Sequence, residues 1–566
     1  MYFFHFFRSF LPLRNPIGFG VSDFIEFAIA LLLVGLLFVY AWSSGWLQKL
    51  SKRPTRCVLL FGVLPIALRL FLIPHCPVPI PAGADDFSYV LSGDTLTHFR
   101  LANPPHPFSR FFESVFVLQE PTYSSIYPVG QGLLLAFGQL LFGNFWAGIL
   151  VASGVLCASC YWMLRAWVSD EWAFTGACLA VMTFGPLCQW TNSYWGGALS
   201  ATAGCLVFGA LPRLESGKAG TAIALGIGCA IQLLTRPFEF LFLGISVVLF
   251  FAFIRRWRFA PRQLGIVAAG VIAAVVLTCV HNKAVTRRWT TMPYVLSRYQ
   301  YGVPGSFTFQ ENAVPHRALT PEQELDYRAQ AAVHGQGTDT LPAFFERLAY
   351  RVRYYRFFLF APLYLAIAAF LVTARHALDW WVTATVILFA LGTNIYGYFF
   401  PHYIAAEACL FVLASVLGLA RLSRRYPQIS RLIVLLCGAQ FLFWYGLHLI
   451  AAEDLWASFQ YEPWDFINYG DPEGRIAVQR QLDATAAQQL VFVRYGPAHG
   501  FQEWIHNTAD IDAGRIVWAH DLGPEEDEKL RNFYPSRRAW LLLPDARPPQ
   551  LMPYPAGVSA HPEIQR

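Results

Sequence analysis

Long apolar runs recur along this chain, separated by short polar or basic turns. A run of about 17 to 25 apolar residues is the length that crosses a bilayer as a helix. The pattern predicts spans over 24–42, 56–74, 145–166, 170–188, 194–212, 219–235, 237–255, 263–280, 357–374, 380–400, 403–421 and 431–450. The apolar stretch 132–142 is too short to cross and reads as an interfacial or re-entrant helix. Two polar loops, 75–144 and 281–356, interrupt the series. After the last run the period changes. Residues 490–494, 515–518 and 539–543 read as short strands, with helical stretches over 474–487 and 524–533. The fold class expected is an α-helical polytopic membrane protein of about twelve transmembrane helices with a small C-terminal α/β extramembrane domain. Its parts are an N-terminal segment with an extra span (1–55), a transmembrane domain (56–451) and the α/β domain (452–566).

Basic residues cluster in the short turns. Lys49, Lys52, Arg53 and Arg56 form one group, Arg255, Arg256, Arg258 and Arg262 a second, and Arg421, Arg424, Arg425 and Arg431 a third. Such clusters face the cytoplasm. They agree with one another only if 132–142 does not span. Both long loops and the tail are then expected on the outer side, and the N-terminus with them despite Arg8 and Arg14.

Composition fits. The 566 residues are 55% hydrophobic and 14% charged, against about 25% charged in soluble domains. The net charge of +6 sits in span-flanking turns and is no argument for nucleic acid. Residues 1–20 lack a small-residue cleavage site, so no cleaved leader is expected. Most of the eleven cysteines fall inside apolar runs, so no disulfide framework is expected. Cys157 and Cys160 have a redox or metal spacing, but they lie in an apolar helix and are read as packing residues. There is no phosphate-binding glycine loop, dinucleotide fingerprint or metalloprotease His-Glu pair, which argues against a pump with its own ATP motor.

The candidate chemistry lies in the outer turns. Asp85 and Asp86 are adjacent carboxylates about ten residues past a span. Charge so near hydrocarbon is costly and needs a task or a partner. Either can act as a general base on an incoming hydroxyl; the alternative is a helix N-cap. Arg236, in Thr235-Arg236-Pro237-Phe238-Glu239, has the planar fork that suits phosphate, or else it snorkels or pairs with Glu239. His402, in Phe400-Pro401-His402-Tyr403, can donate to phosphate or a sugar hydroxyl, or belong to the interfacial belt. The second loop carries Arg287, Arg288, Arg298 and an aromatic stretch over 294–309, a mixture that suits sugar faces and lipid phosphates or a loop resting on the interface. Trp190, Asn192, Tyr194 and Trp195 read as interfacial belt. Glu113, Glu120, His98 and His106 have no diagnostic metal spacing, and no metal site is assigned.

The order of these features resembles the GT-C membrane glycosyltransferases. The acidic pair follows an early span. Then come a long outer loop, Tyr127-Pro128-Val129-Gly130-Gln131-Gly132, the turn Leu141-Phe142-Gly143-Asn144, Leu233-Leu234-Thr235-Arg236-Pro237, and His402-Tyr403 before an apolar run. The branch it is most similar to is the protein-mannosyltransferase and aminoarabinose-transferase group, with its bacterial lipopolysaccharide-core relatives. The likeness covers roughly 56–421. Pro128-Val129-Gly130 departs from the Pro-Pro-Gly common in that group, and the extra segment over 24–42 and the tail domain are additions.

The resemblance implies a polyprenyl-phosphate sugar donor, an acceptor hydroxyl on a lipid, glycan or protein, inverting transfer at the outer membrane face, and a bacterial inner-membrane location. It makes Asp85 or Asp86 the catalytic base. Arg236, Arg298 and His402 become candidates for the donor phosphate, and Tyr89, Tyr127, Glu239 and Tyr403 for substrate contact. No cofactor is implied; a divalent cation is compatible but not indicated. The rival readings are a twelve-span secondary transporter, which would carry its charges within the spans, and a non-catalytic envelope-assembly scaffold docked through its tail.

Overall fold

The computed structural model describes residues 28, 31–36, 51–81, 83–254, 260–303, 307–335, 337, 339–450, 474–497, 499 and 502–554. Most of the expected span over 24–42 lies outside the described residues, as do Arg8, Arg14, Lys49, Arg255, Arg256 and Arg258.

The other apolar runs fold as helices, several of them shorter than the runs themselves. Among the described residues, six helices are long and apolar enough to cross a membrane: Pro54–Phe71, Phe145–Leu164, Gly197–Ser216, Pro261–Thr286, Pro401–Arg425 and Pro427–Gly446. A seventh arises if Leu341–Phe358 and Leu363–Val372, bent by 113°, form one span. The helices that meet this test among the described residues are fewer than the twelve apolar runs expected, and most of the first run lies outside those residues. The helices Ala219–Thr235, Glu239–Phe253 and Ala377–Thr393 have 17, 15 and 17 residues. At 1.5 Å per residue they reach about 22–26 Å, short of the ~30 Å hydrocarbon core. The first is cut at Arg236, whose φ of −140° and ψ of 73° reflect the bar that the following Pro237 sets on helical geometry. The helix Asp170–Phe184 is likewise only 15 residues long. Exposed Leu241, Val248, Phe253, Ile387 and Leu391 on the short helices give them an apolar outer surface suited to lipid. The stretch at 132–142 is the C-terminal part of a helix, Val129–Phe142.

The bundle core corrects one local expectation and agrees with another. Trp190, Asn192 and Tyr194 are not belt residues but buried ones. Trp190 stacks on Phe184 at 5.5 Å and packs on Phe357 at 4.7 Å. Asn192 accepts from Arg69 Nε at 2.7 Å, and the same guanidinium donates to the carbonyls of Cys76 and Pro77 at 2.9 Å each. This ties a buried charge to the chain just beyond its span. All eleven cysteines are free, and Cys157 and Cys160 are fully buried among core side chains.

Outside the bundle, two short strands, β1 (Val117–Leu118) and β2 (Ser124–Ser125), pair antiparallel in the first loop. The tail holds β3 (Gln489–Val493), β4 (Ile516–His520), β5 (Arg538–Leu543) and β6 (Gln550–Pro553) in the order β4-β3-β5-β6. β3 runs parallel to both neighbours and β6 antiparallel to β5. β6 was not expected: prolines read as breakers, yet an edge strand tolerates them.

The two loops and the tail pack against one another. Tyr123 donates to the Asn507 carbonyl at 3.0 Å, Arg110 to that of Leu319 at 3.1 Å, and His520 Nε2 lies 2.6 Å from the Glu113 carbonyl. The four loop residues considered for a metal are engaged by other side chains and backbone. Arg317 bridges Glu113 (2.7 Å) and Glu120 (2.9 Å), His106 meets Asp512 at 3.2 Å, and His98 meets the Asp94 carbonyl at 2.9 Å.

Candidate active site

The helix Ala84–Thr97 begins on an extended Gly83. Gly83 is therefore the N-cap, and the reading of an aspartate cap is corrected. Both carboxylates lie in the first turn, at the positive end of the helix dipole. Consecutive helical positions differ by ~100° in direction, and the two side chains part company. Asp86 is buried, and its Oδ1 accepts the Tyr194 backbone N–H at 3.1 Å; the Tyr194 hydroxyl donates to the Pro79 carbonyl at 3.0 Å. Asp86 thus fastens the helix start to the bundle. Asp85 is only partly covered and accepts a short hydrogen bond from the Tyr127 hydroxyl. No other side-chain hydrogen bond to Asp85 occurs among the described residues.

Tyr89, one turn after Asp85, stacks on Tyr127 with ring centres 4.2 Å apart. Close backbone approach places Tyr127 there. A Cβ on Gly132 would lie 2.2 Å from Ser92 Oγ, and one on Gly130 would lie 2.7 Å from the Leu234 carbonyl oxygen and from Thr235 Cγ2. Residues 127–132 therefore wedge between the Asp85 helix and the C-terminus of Ala219–Thr235, and the next residue after that terminus is Arg236. Its N–H closes on the Gln232 carbonyl at 2.7 Å and its Nη2 donates to the Trp195 carbonyl at 3.5 Å. The guanidinium lies 4.9 Å from the centre of the Tyr403 ring and interacts electrostatically with Tyr89, Glu239 and Tyr127 as well. Tyr403 packs on His402 at 4.7 Å. His402 is buried, and its Nδ1 has no hydrogen-bond partner among the described residues.

Asp85, Tyr89, Tyr127, Arg236, Glu239, His402 and Tyr403 thus gather in one cluster, although they come from four separate segments. Arg298 does not join it. It donates to Gln310 Oε1 at 2.9 Å and to the Glu311 carbonyl at 3.2 Å, and so is tied to its own loop. The aromatic loop does approach through Phe307, which lies 5.0 Å from Phe238 and pairs with Tyr396. Sequence reasoning overlooked two charged neighbours. Arg351 is buried, donates to the Thr393 carbonyl at 2.9 Å and interacts with Tyr403. Asp326, on the helix Pro321–His334, interacts electrostatically with Asp85. Neither stood in a recognisable motif; each came from a loop with many other charges.

Burial pushes the Asp85 carboxyl above the usual carboxylate range, while the Tyr127 hydrogen bond and the Arg236 charge pull it down. Burial, with the Asp85 charge adding to it, holds Tyr127 well above its ordinary range, so it remains a hydroxyl donor. Burial pushes Asp326 up to about 7; Gln330 donates to it and opposes this, and the Asp85 and Glu503 charges reinforce it. The arrangement offers one accessible carboxylate oriented by a phenol, with a guanidinium across a tyrosine-lined gap. That is the equipment for removing a proton from one group while stabilising negative charge on another.

No family model and no curated protein sequence matches this chain. Solved structures match this chain at low sequence identity. ArnT from Cupriavidus metallidurans in the apo state is 12% identical, with 86% of this chain and 93% of that chain covered and a TM-score of 0.49. The archaeal oligosaccharyltransferase AglB from Archaeoglobus fulgidus, in complex with an inhibitory peptide and a dolichol-phosphate, is 11% identical, with 88% and 70% covered and a TM-score of 0.44. The arabinofuranosyltransferase AftD from Mycobacteria is 12% identical, with 86% and 35% covered and a TM-score of 0.41.

Proposed function

We propose that this protein is an integral-membrane glycosyltransferase that moves a sugar from a polyprenyl-phosphate donor to an acceptor hydroxyl, with inversion, on the outer face of a bacterial inner membrane. The observation that carries the reading is the Asp85–Tyr127 hydrogen bond facing Arg236, which stands over Tyr403. The motif order along the chain agrees with it.

Asp85 accepts the proton of the acceptor hydroxyl. The acceptor oxygen then forms its bond to the anomeric carbon from the face opposite the donor phosphate. The bond from that carbon to the phosphate oxygen breaks, and its electron pair leaves with the phosphate. Arg236 stabilises the charge developing there, a task for which a fixed guanidinium suits phosphate oxygens. His402, beside Tyr403, supplies an unpartnered ring nitrogen for a further hydrogen bond to donor oxygens. Tyr127 holds Asp85 in one rotamer, and the tyrosine faces offer flat surfaces for a sugar ring. Phosphate is already a good leaving group, so no strong general acid is required. Asp86 is assigned to support of the helix start, and Arg298 is left out of the phosphate site.

The test is transfer by purified protein in nanodiscs from a panel of radiolabelled polyprenyl-phosphate sugars to a crude envelope acceptor. Label should move with the native chain and not with Asp85→Asn. Transfer retained by a folded Asp85→Asn variant would remove Asp85 as the base.

A further inference from the structure

The helix Ala84–Thr97 turns its other face to a cavity of about 850 Å³, within the ~300–1,000 Å³ typical of ligand sites. Phe87, Val90, Leu91 and Asp94 line it, whereas Asp85 and Tyr89 do not. The opposite wall is the tail domain, so the cavity exists only because that domain docks here.

Its two halves differ chemically. On the bundle side Ile80, Pro81, Val90 and Phe145 make an apolar wall. Phe145 opens the membrane-spanning helix Phe145–Leu164. Just before it, the helix Val129–Phe142 exposes Leu133, Phe137, Leu140, Leu141 and Phe142. Such a dense apolar surface beside a span lies in the lipid boundary. The apolar half of the cavity therefore adjoins the bilayer.

The tail half is cationic. Arg475 is held between Trp504 and Phe87, 4.4 and 5.3 Å from the ring centres, and donates to the Glu503 carbonyl. Arg515 pairs with Asp483. Arg480 is exposed, and its side chain forms no hydrogen bond or ion pair among the described residues. Three arginines face two carboxylates in the lining, and Asp94 is already occupied by the Ala509 N–H at 2.6 Å. The balance favours an anion.

We propose that this cavity binds an anionic phospholipid of the surrounding bilayer, with its phosphate against Arg480 and Arg515 and its chains along Ile80, Pro81, Val90 and Phe145. A guanidinium matches phosphate oxygens in shape and charge, and the apolar wall takes chain methylenes out of water. A lipid so seated would bridge the tail domain to the membrane, on the face of the helix away from Asp85.

Native mass spectrometry of the detergent-purified full chain tests this. The probes are dioleoylphosphatidylglycerol and dioleoylphosphatidylcholine, titrated separately. The expected result is one phosphatidylglycerol adduct at least fivefold more occupied than the phosphatidylcholine one. It should fall at least fivefold in Arg480→Ala and in Val90→Trp, which fills the apolar half, and persist in Arg236→Ala. Arg480 is exposed, so its variant should melt like the native chain. Equal occupancy by phosphatidylcholine, or an adduct unchanged in both cavity variants, would overturn the proposal. So would an adduct lost only in Arg236→Ala, because the lipid would then sit at the Asp85 cluster. No outcome depends on sugar transfer, so this proposal and the transferase reading can fail separately.

Discussion

The two faces of the helix Ala84–Thr97 share one backbone and meet opposite conditions. On one face Asp85 and Tyr89 are flanked by Tyr127, Arg236 and Tyr403. On the other, Phe87 and Val90 look into a wide cavity that a separate domain completes. The crowded face sets charge states: burial and neighbouring charges decide how readily Asp85 takes a proton. The open face sets occupancy, through shape and net charge. Substitutions on the first face should change rate and pH dependence; those on the second should change binding and leave the chemistry alone.

The sharpest break in that comparison is Asp85→Asn. Loss of a general base costs about 10²–10⁴ in rate, read by label transfer in nanodiscs. The same variant should melt no lower than the native chain. Asp85 has a raised folded pKa, so its protonated form is the stable one. The stability this supplies is present below the unfolded pKa and is lost as pH rises through the folded value. Above the folded value burial disfavours the ionised group, and a neutral amide carries no such cost.

Arg236→Ala should come next. Removing a fixed donor to developing charge costs about 10²–10³ in kcat, and Arg236→Lys should recover part of it. A change confined to KM would assign Arg236 to ground-state binding alone.

Gly130→Ala tests the wedge between the Asp85 helix and the segment that ends at Arg236. Its methyl would meet the Leu234 carbonyl oxygen at 2.7 Å, and overpacking of this kind costs about 1–3 kcal/mol. Thermal melting and activity should fall together, since Tyr127 moves with the wedge.

Asp86 separates support from chemistry. Asp86→Ala strands the Tyr194 N–H at a cost of about 1–3 kcal/mol, whereas Asp86→Asn keeps an acceptor oxygen and should transfer sugar at close to the native rate once folded. An Asp86→Asn enzyme as dead as Asp85→Asn would overturn the division of labour.

The smallest effect should come from Tyr127→Phe. The lost hydrogen bond had been pulling the Asp85 pKa down. The acid limb of the pH–rate profile should therefore move to higher pH, by an amount read directly from that profile.

Much of this was legible before any coordinates. Apolar period and length gave the helices, because hydrocarbon demands satisfied backbone and permits little else. Short apolar runs in the tail gave three of its four strands; β6 escaped because Pro548, Pro549 and Pro553 mask an edge strand. Residue chemistry named Asp85 and Asp86 without choosing between them, and Arg236, Arg298 and His402 as phosphate candidates. The pattern marked more apolar runs than there are long apolar helices among the described residues, because composition marks where a helix is apolar but not where a polar turn such as Arg236-Pro237 leaves it short.

The linear pattern by itself determined a helical membrane bundle with polar loops, a tail of different period and a short roster of charged and aromatic candidates. Tertiary structure decided which of two adjacent aspartates faces the gap. It also decided that Arg298 is tied to its own loop, that Asp326 stands near Asp85, and that a cavity opens beneath the tail. The physical reason is reach. Period and composition act over a few residues, whereas a carboxylate's exposure and charge state depend on partners such as Tyr127 and Arg236, 42 and more residues away along the chain.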